Sequence, residues 1–273
     1  MVLRIAAVAF GLLLAACIFY VVTSYTHAFW HRRLTTPVGN LVKAAFLEFG
    51  ACMLLLPFWP LWLVVGASYE AVHEGEGVAR GTRHPVILLH GFAMNRTSWV
   101  WLGRRLAHRG IGPLYGTSYF SPQSVRRSAE HLARFVERVR ARERCERVDI
   151  VGHSLGGVVA RYYVERLDGA RHVGRVVTIG SPHKGTIIAR LGALFPSARE
   201  TFHNSSFYAE LGPLRRREVA FTSVWSRADA IIEPPESSSI APDGEDRVFD
   251  DLGHLSLLLS PRVLDTVAER LKA

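Results

Sequence analysis

The segment Val148-Asp149-Ile150-Val151-Gly152-His153-Ser154-Leu155-Gly156-Gly157 constrains the folding of this chain more than any other. A short apolar run enters G-x-S-x-G, and a helical pattern follows as far as Leu167. Five residues of this kind occur by chance, so the flanks carry the specificity: strand, tight turn, helix. A serine at such a turn sits in a strained bend that lifts its hydroxyl above a sheet. Side chains two residues before and after it would collide with neighbouring backbone, which explains Gly152 and Gly156. The helix that follows points free N–H groups and its positive dipole end at any oxyanion formed beside the serine. Ser154 is therefore read as a nucleophile.

Around this turn the chain alternates short apolar runs with amphipathic ones, as βαβ units on a parallel sheet do. Strands are expected at Pro85–Leu89, Gly112–Tyr119, Val148–Val151, Val173–Ile179, Val219–Trp225 and Arg247–Asp250. Helices are expected at Trp99–His108, along the stripe Val125, Ala129, Leu132, Val136 and Val139, at Leu155–Leu167 and at Ser256–Leu271. The fold class is α/β, with a mostly parallel central sheet flanked by helices. Residues 186–217 break the alternation and are long for a simple connection, so they read as a cap or lid insertion.

The amino-terminal third differs. Ile5 to Val22 carries no charge and is just long enough to cross a bilayer core. Leu14-Ala15-Ala16-Cys17 resembles a lipoprotein cleavage box. The chain stays apolar after Cys17, however, which favours an uncleaved anchor. A second uncharged run, Phe49 to Gly66, contains Pro57 and Pro60, which a membrane helix tolerates better than a soluble one. Trp59 and Trp62 could equally mark an interfacial segment. The expected organisation is a membrane anchor over 1–68, read as a helical hairpin, a Gly-rich linker over 69–83 and a soluble domain over 84–273. Arg32, Arg33 and Lys43 between the runs outnumber the charge at Arg4, which by the positive-inside rule puts the soluble domain on the extracytoplasmic side of a bacterial inner membrane.

The net charge is +9 and almost wholly arginine. It fits attraction to anionic headgroups or solvated helix faces. No nucleic-acid-binding motif accompanies it, so nucleic acid is not an expected partner. Cys17, Cys52 and Cys145 have neither zinc nor disulfide spacing.

A serine nucleophile needs a base, and the base a buried carboxylate. His254 follows a strand candidate and precedes the last helix, where a loop can carry it over Ser154. His172, His183 and His203 are the other histidines beyond the serine. Asp229 follows the strand ending at Trp225 and lies 25 residues before His254. Asp168, Glu233, Asp243, Asp246, Asp250 and Asp251 compete with it as the acid. Val86–Leu89 runs into His90-Gly91-Phe92, where the backbone N–H of Phe92, with that of Leu155, is placed to bind an oxyanion. Gly91 permits close approach, and His90 is read as structural.

Together these pieces resemble the bacterial triacylglycerol lipases and esterases of the α/β-hydrolase superfamily. Ile179-Gly180-Ser181-Pro182-His183-Lys184-Gly185-Thr186 is the most discriminating run. The resemblance covers about residues 83–273. It implies the α/β-hydrolase fold and cleavage of carboxylic esters, expectedly lipid acyl esters, through Ser154, His254 and Asp229 and an acyl-enzyme. No cofactor is implied. Some secreted relatives hold a structural calcium between acid and histidine, but the acidic residues here do not match that site one by one, so no metal is expected. An acyltransferase or thioesterase with the same triad, and a catalytically inactive binding module on a membrane, are the alternative readings.

Overall fold

The computed structural model describes residues 2–32, 35–55, 57, 70–71 and 82–273. Residues 56 and 58–66 of the run expected over Phe49–Gly66, and most of the linker expected over 69–83, lie outside these residues. Helices α1 (Val2–Arg32) and α2 (Val38–Leu55) precede the sheet. The strands are β1 (Glu70–Ala71), β2 (Val86–Leu89), β3 (Leu114–Thr117), β4 (Val148–His153), β5 (Val173–Ile179), β6 (Ala220–Ser226) and β7 (Glu245–Phe249). The remaining helices are α3 (Val100–His108), α4 (Val125–Glu143), α5 (Leu155–Arg166), α6 (Pro196–Glu200), α7 (Ser206–Leu211) and α8 (Pro261–Lys272).

Strands β2 and β4 are buried along their whole length, as strands covered on both faces must be. The sheet order is β1-β3-β2-β4-β5-β6-β7, parallel except for β1, which pairs antiparallel with β3. Because β3 and β4 flank β2 on opposite sides, the winding reverses between β2 and β4. In open parallel sheets, ligands bind in the crevice outside the carboxyl ends of strands at that reversal. His90-Gly91-Phe92 leaves β2 there and Ser154 leaves β4 there. One apolar cluster, with Val136, Val159 and Tyr163, covers one face of the sheet. Another, with Trp99, Leu106 and Val267, covers the other.

The six expected strands form with small shifts at their ends, and β4 extends to His153. The helix expected over Ser256–Leu271 is divided: a 3₁₀ turn spans Ser256–Leu259, and α8 starts at Pro261. Proline lacks the N–H to continue a helix but suits its first position. Within the expected cap, a 3₁₀ segment (Ile187–Gly192), α6 and α7 follow one another.

The second apolar helix begins at Val38 and not at Phe49. An uncharged run excludes Lys43 and Glu48, yet both lie inside α2. Lys43 is not a loop charge: its ammonium pairs with Asp251 at 2.6 Å. Leu41, Ala44 and Cys52 of α2 pack with Cys17, Val21, Tyr25 and Ala28 of α1, and this cluster continues to Ala228 and Ala230 beside the sheet. Both helices are long and apolar enough to cross a membrane, over Phe10–Trp30 and Val38–Leu55.

Candidate active site

The turn after β4 shows why its glycines are glycines. A Cβ on Gly152 would lie 2.6 Å from the Gly157 nitrogen, and one on Gly156 would lie 2.5 Å from the Leu89 carbonyl oxygen. Neither contact can relax by moving a side chain. Ser154 itself has φ 53° and ψ −122°, a conformation that costs a non-glycine residue on the order of 1–3 kcal/mol. The bend is held by the Ser154 N–H bonded to the Ile179 carbonyl at 2.9 Å. Gly156→Ala is expected to cost about 3 kcal/mol or more of stability, because overpacking here pushes on backbone. Chemical denaturation in detergent measures it, and wild-type stability would contradict the packing just described.

Asp229 lies just past β6 and His254 between β7 and the last 3₁₀ turn. The two meet: His254 Nδ1 donates to Asp229 Oδ2 at 2.8 Å, and both side chains are buried. The other oxygen of Asp229 accepts the N–H groups of Ile231 (2.8 Å) and Ile232 (3.1 Å). Burial alone would raise the acid's pKa. The adjacent imidazole and these two N–H groups outweigh it, and the carboxyl is held below the usual range. For His254 burial pulls the pKa down, but Asp229 and then Glu48 outweigh it, and the net shift is upward.

Several groups fix this pair against the serine turn. Ser226 Oγ accepts the N–H of Ala228 and of Leu252, each at 3.2 Å, so it ties the acid loop to the histidine loop. His153 Nε2 donates to the His254 carbonyl at 3.2 Å, and the two rings lie 4.7 Å apart. His153 stays neutral, its pKa lowered to about 3 chiefly by burial. A Cβ on Gly180, next to Ile179, would be 3.3 Å from both Asp229 Oδ2 and His254 Nδ1. The residue whose carbonyl holds Ser154 is thus adjacent to the one against the acid–base pair.

Phe92 and Leu155 line a cavity together with Ser154. Gly91 brings the β2 loop close: a Cβ there would sit 3.0 Å from Ser154 Cβ. His90 is buried and neutral, its pKa lowered to about 4 by burial. Its Nδ1 donates to the Gly91 carbonyl at 2.9 Å and its Nε2 accepts the Tyr119 N–H at 3.1 Å, which holds this loop in place.

The competing residues lie elsewhere. Asp168, Asp243 and Asp250 pair with Arg171, Arg217 and Arg227, and Asp251 with Lys43 and Arg262. Asp246 accepts the Ile240 N–H, and Glu233 is buried, with its backbone N–H on Thr186 Oγ1. His203 is half-buried with its ring against the Lys184 carbonyl, and His183 is bonded to Thr178. Among the described residues no cluster of three His, Cys, Asp or Glu side chains suits a metal ion.

The cavity has a volume of about 340 Å³ and an apolar wall that includes Ile188, Leu191, Phe195 and Ile232. Thr186, from the Ser-Pro-His-Lys-Gly-Thr run, donates to the Ile231 carbonyl (2.8 Å) and accepts the Glu233 N–H (3.0 Å), which ties the cap to the acid loop. Leu191 and Leu194 on the cap are almost fully exposed, at 88% and 89%.

Sequence reasoning missed one group here. Glu48 of α2 is buried against the histidine loop. It accepts the N–H of Leu255 at 2.9 Å and of Ser256 at 3.0 Å. A lone carboxylate inside an apolar helix was the available signal.

Comparison with known proteins agrees with this architecture. Residues 85–213 match the family model for palmitoyl protein thioesterase. A triacylglycerol lipase of Burkholderia plantarii is 29% identical, over 60% of this chain and 52% of its own length. One of Pseudarthrobacter phenanthrenivorans is 28% identical, over 54% of each. The chain spans about half the length of these curated relatives. The mature lipase BlEst2 of Bacillus licheniformis superposes with a TM-score of 0.64 at 14% identity, over 74% of this chain and 98% of its own. Lipase B of Aspergillus fumigatus gives 0.61 at 18%, over 74% and 56%. The chain has the α/β-hydrolase fold and resembles lipases and esterases of that superfamily.

Proposed function

We propose that this α/β-hydrolase cleaves carboxylic esters of lipid-like acyl groups at a membrane. The observation that carries the reading is a serine at a strained strand-to-helix turn, opening on an apolar cavity, with a buried imidazole–carboxylate pair packed against the same turn. Ser154 attacks the acyl carbonyl as His254 takes its proton. Asp229 fixes the tautomer that leaves Nε2 free to accept it, and steadies the imidazolium. The N–H groups of Phe92 and Leu155 stabilise the oxyanion. His254 then returns the proton to the departing alcohol, and water, activated by the same imidazole, releases the acid.

The acyl chain lies in the cavity under the cap. The cap is a lid over it, its exposed Leu191 and Leu194 turned to lipid. In the domain organisation we propose, residues 1–68 are the membrane anchor and 84–273 the hydrolase. Phe19, Val22, Phe46 and Leu54 give the hairpin an exposed apolar face, which supports this reading.

Turnover of p-nitrophenyl esters is expected to climb from acetate towards longer chains. Each buried methylene contributes about 0.8 kcal/mol, or roughly fourfold in kcat/KM, until the cavity is full. A flat profile would rule out an acyl pocket. The thioesterase family match favours one second reading, in which the scissile bond is a thioester. Oxygen and sulfur esters of one acyl chain, assayed side by side, separate the two. Products formed with water and alcohol acceptors in competition separate hydrolysis from acyl transfer.

A further inference from the structure

The hairpin reaches the candidate active site itself. We propose that Glu48, on the second apolar helix, is a positioning residue for His254, so that the amino-terminal hairpin is part of the catalytic apparatus as well as an anchor. The inference rests on the esterase reading above.

Glu48 is 1% exposed, and its carboxylate accepts each of the side-chain hydrogen bonds described for it. The Leu255 N–H points between its two oxygens, 2.9 Å from each, and the Ser256 N–H bonds Oε2 at 3.0 Å. The Tyr20 hydroxyl, from α1, donates to Oε1 at 2.9 Å. Three donors converging on two oxygens suit an ionised carboxylate, which only accepts. Glutamine would turn N–H groups towards N–H groups. The two backbone donors are the residues directly after His254, so the carboxylate caps the turn that carries the imidazole.

The fit is close on the other side of His254 as well. A Cβ on Gly253 would come 2.4 Å from the Tyr25 hydroxyl and 2.5 Å from Glu48 Oε2. Gly253 lets both helices reach the backbone next to the imidazole. The charge has a second effect: Glu48 is among the groups that hold the His254 pKa up. Among the described residues, the titratable and charged groups around this loop and Glu48 include Asp229 after β6, His153 at the end of β4, Tyr20 and Tyr25 on α1, Lys43 and Arg262 on Asp251, and Cys52 one turn beyond Glu48, with Cys17 beside it.

The test uses full-length protein in detergent and a short, soluble ester, so that lipid binding plays no part. Glu48→Gln is expected to lower kcat/KM by about 10–100-fold, mostly through kcat, as loss of orientation does. It should also move the acid limb of kcat/KM to lower pH by about 0.5–1 unit, since a negative charge near the imidazole is gone. Glu48→Asp keeps the charge but withdraws it by one methylene, and should fall between. Lys43→Ala breaks a different hairpin contact and should leave the limb in place. If Glu48→Gln does not fold, Glu48→Asp decides by the same two readouts. Wild-type kcat and limb in the glutamate variants would overturn the proposal, as would an equal limb shift in Lys43→Ala. Titration of the His254 resonance by NMR in the Ser154→Ala background, with and without Glu48→Gln, reads the charge effect independently of turnover. An inactive wild type with an intact shift would defeat the esterase reading alone, whereas an active wild type with no shift would defeat this one.

Discussion

Ser154→Ala is expected to abolish p-nitrophenyl ester turnover almost completely, lowering kcat by roughly 10⁶-fold, as loss of the nucleophile does in serine hydrolases. The residue left behind can neither form an acyl-enzyme nor hand a proton to His254. The fold should survive, because alanine removes one oxygen from a partly exposed position while Gly152 and Gly156 still permit the bend. A Cβ is already present on serine, so the strained backbone meets no new contact. Denaturation curves that overlay, with activity gone and fluorophosphonate labelling lost, are the expected pattern. A mutant as active as wild type would end the assignment of Ser154.

Asp229→Asn is expected to lower kcat by about 10⁴-fold, because an amide can hold the imidazole in the wrong tautomer and cannot steady the imidazolium. The pH profile gives the second readout. Only neutral His254 can accept the serine proton, so kcat/KM must rise with pH through the pKa of His254 in the free enzyme. That value is raised in the folded protein, with Asp229 the principal group raising it against burial. The acid limb should therefore have its midpoint above the ordinary histidine value of about 6.5, and Asp229→Asn should bring it down. A midpoint that does not move would disconnect the two residues.

The same shifts act on stability, with opposite signs. His254 has a higher pKa folded than unfolded, so its contribution is complete below about pH 6.5 and is lost as pH rises through the folded value. Asp229 has a lower pKa folded than unfolded, so its contribution is present above about pH 3.9 and is lost as pH falls through the folded value. The pair stabilises most between those limits, while turnover needs the imidazole neutral. The activity optimum is expected on the alkaline side of the stability maximum, because the ion pair that favours the fold is the state that cannot catalyse.

The glycine pattern around Ser154 was legible because it answers to backbone collisions within a few residues, and such contacts depend little on the rest of the molecule. The central strands β2 and β4 were legible for a similar reason: strands buried on both faces leave short, largely apolar runs, whereas the edge strand β7, Glu245–Phe249, is only partly buried and was legible from its place in the alternation. Places just past expected strands put Asp229 and His254 ahead of the other candidates. Their 2.8 Å contact, and the ties through Ser226 and His153, came only from the tertiary structure.

The amino-terminal helices show where local reading fails. Counting uncharged residues began the second helix at Phe49, since nothing near Lys43 or Glu48 in the chain offers them a partner. Asp251 and the N–H groups after His254, which they bind, are over 200 residues away in sequence, and Tyr20, the other donor to Glu48, is 28 residues away on a different helix. Sequence alone determined the elbow, the sheet and the apolar character of the hairpin, because these follow from sterics and hydrophobicity along the chain. Only the tertiary structure decided that a carboxyl side chain in the hairpin lies beneath the loop that carries His254, because burying such a group is tolerable only where distant donors converge on it.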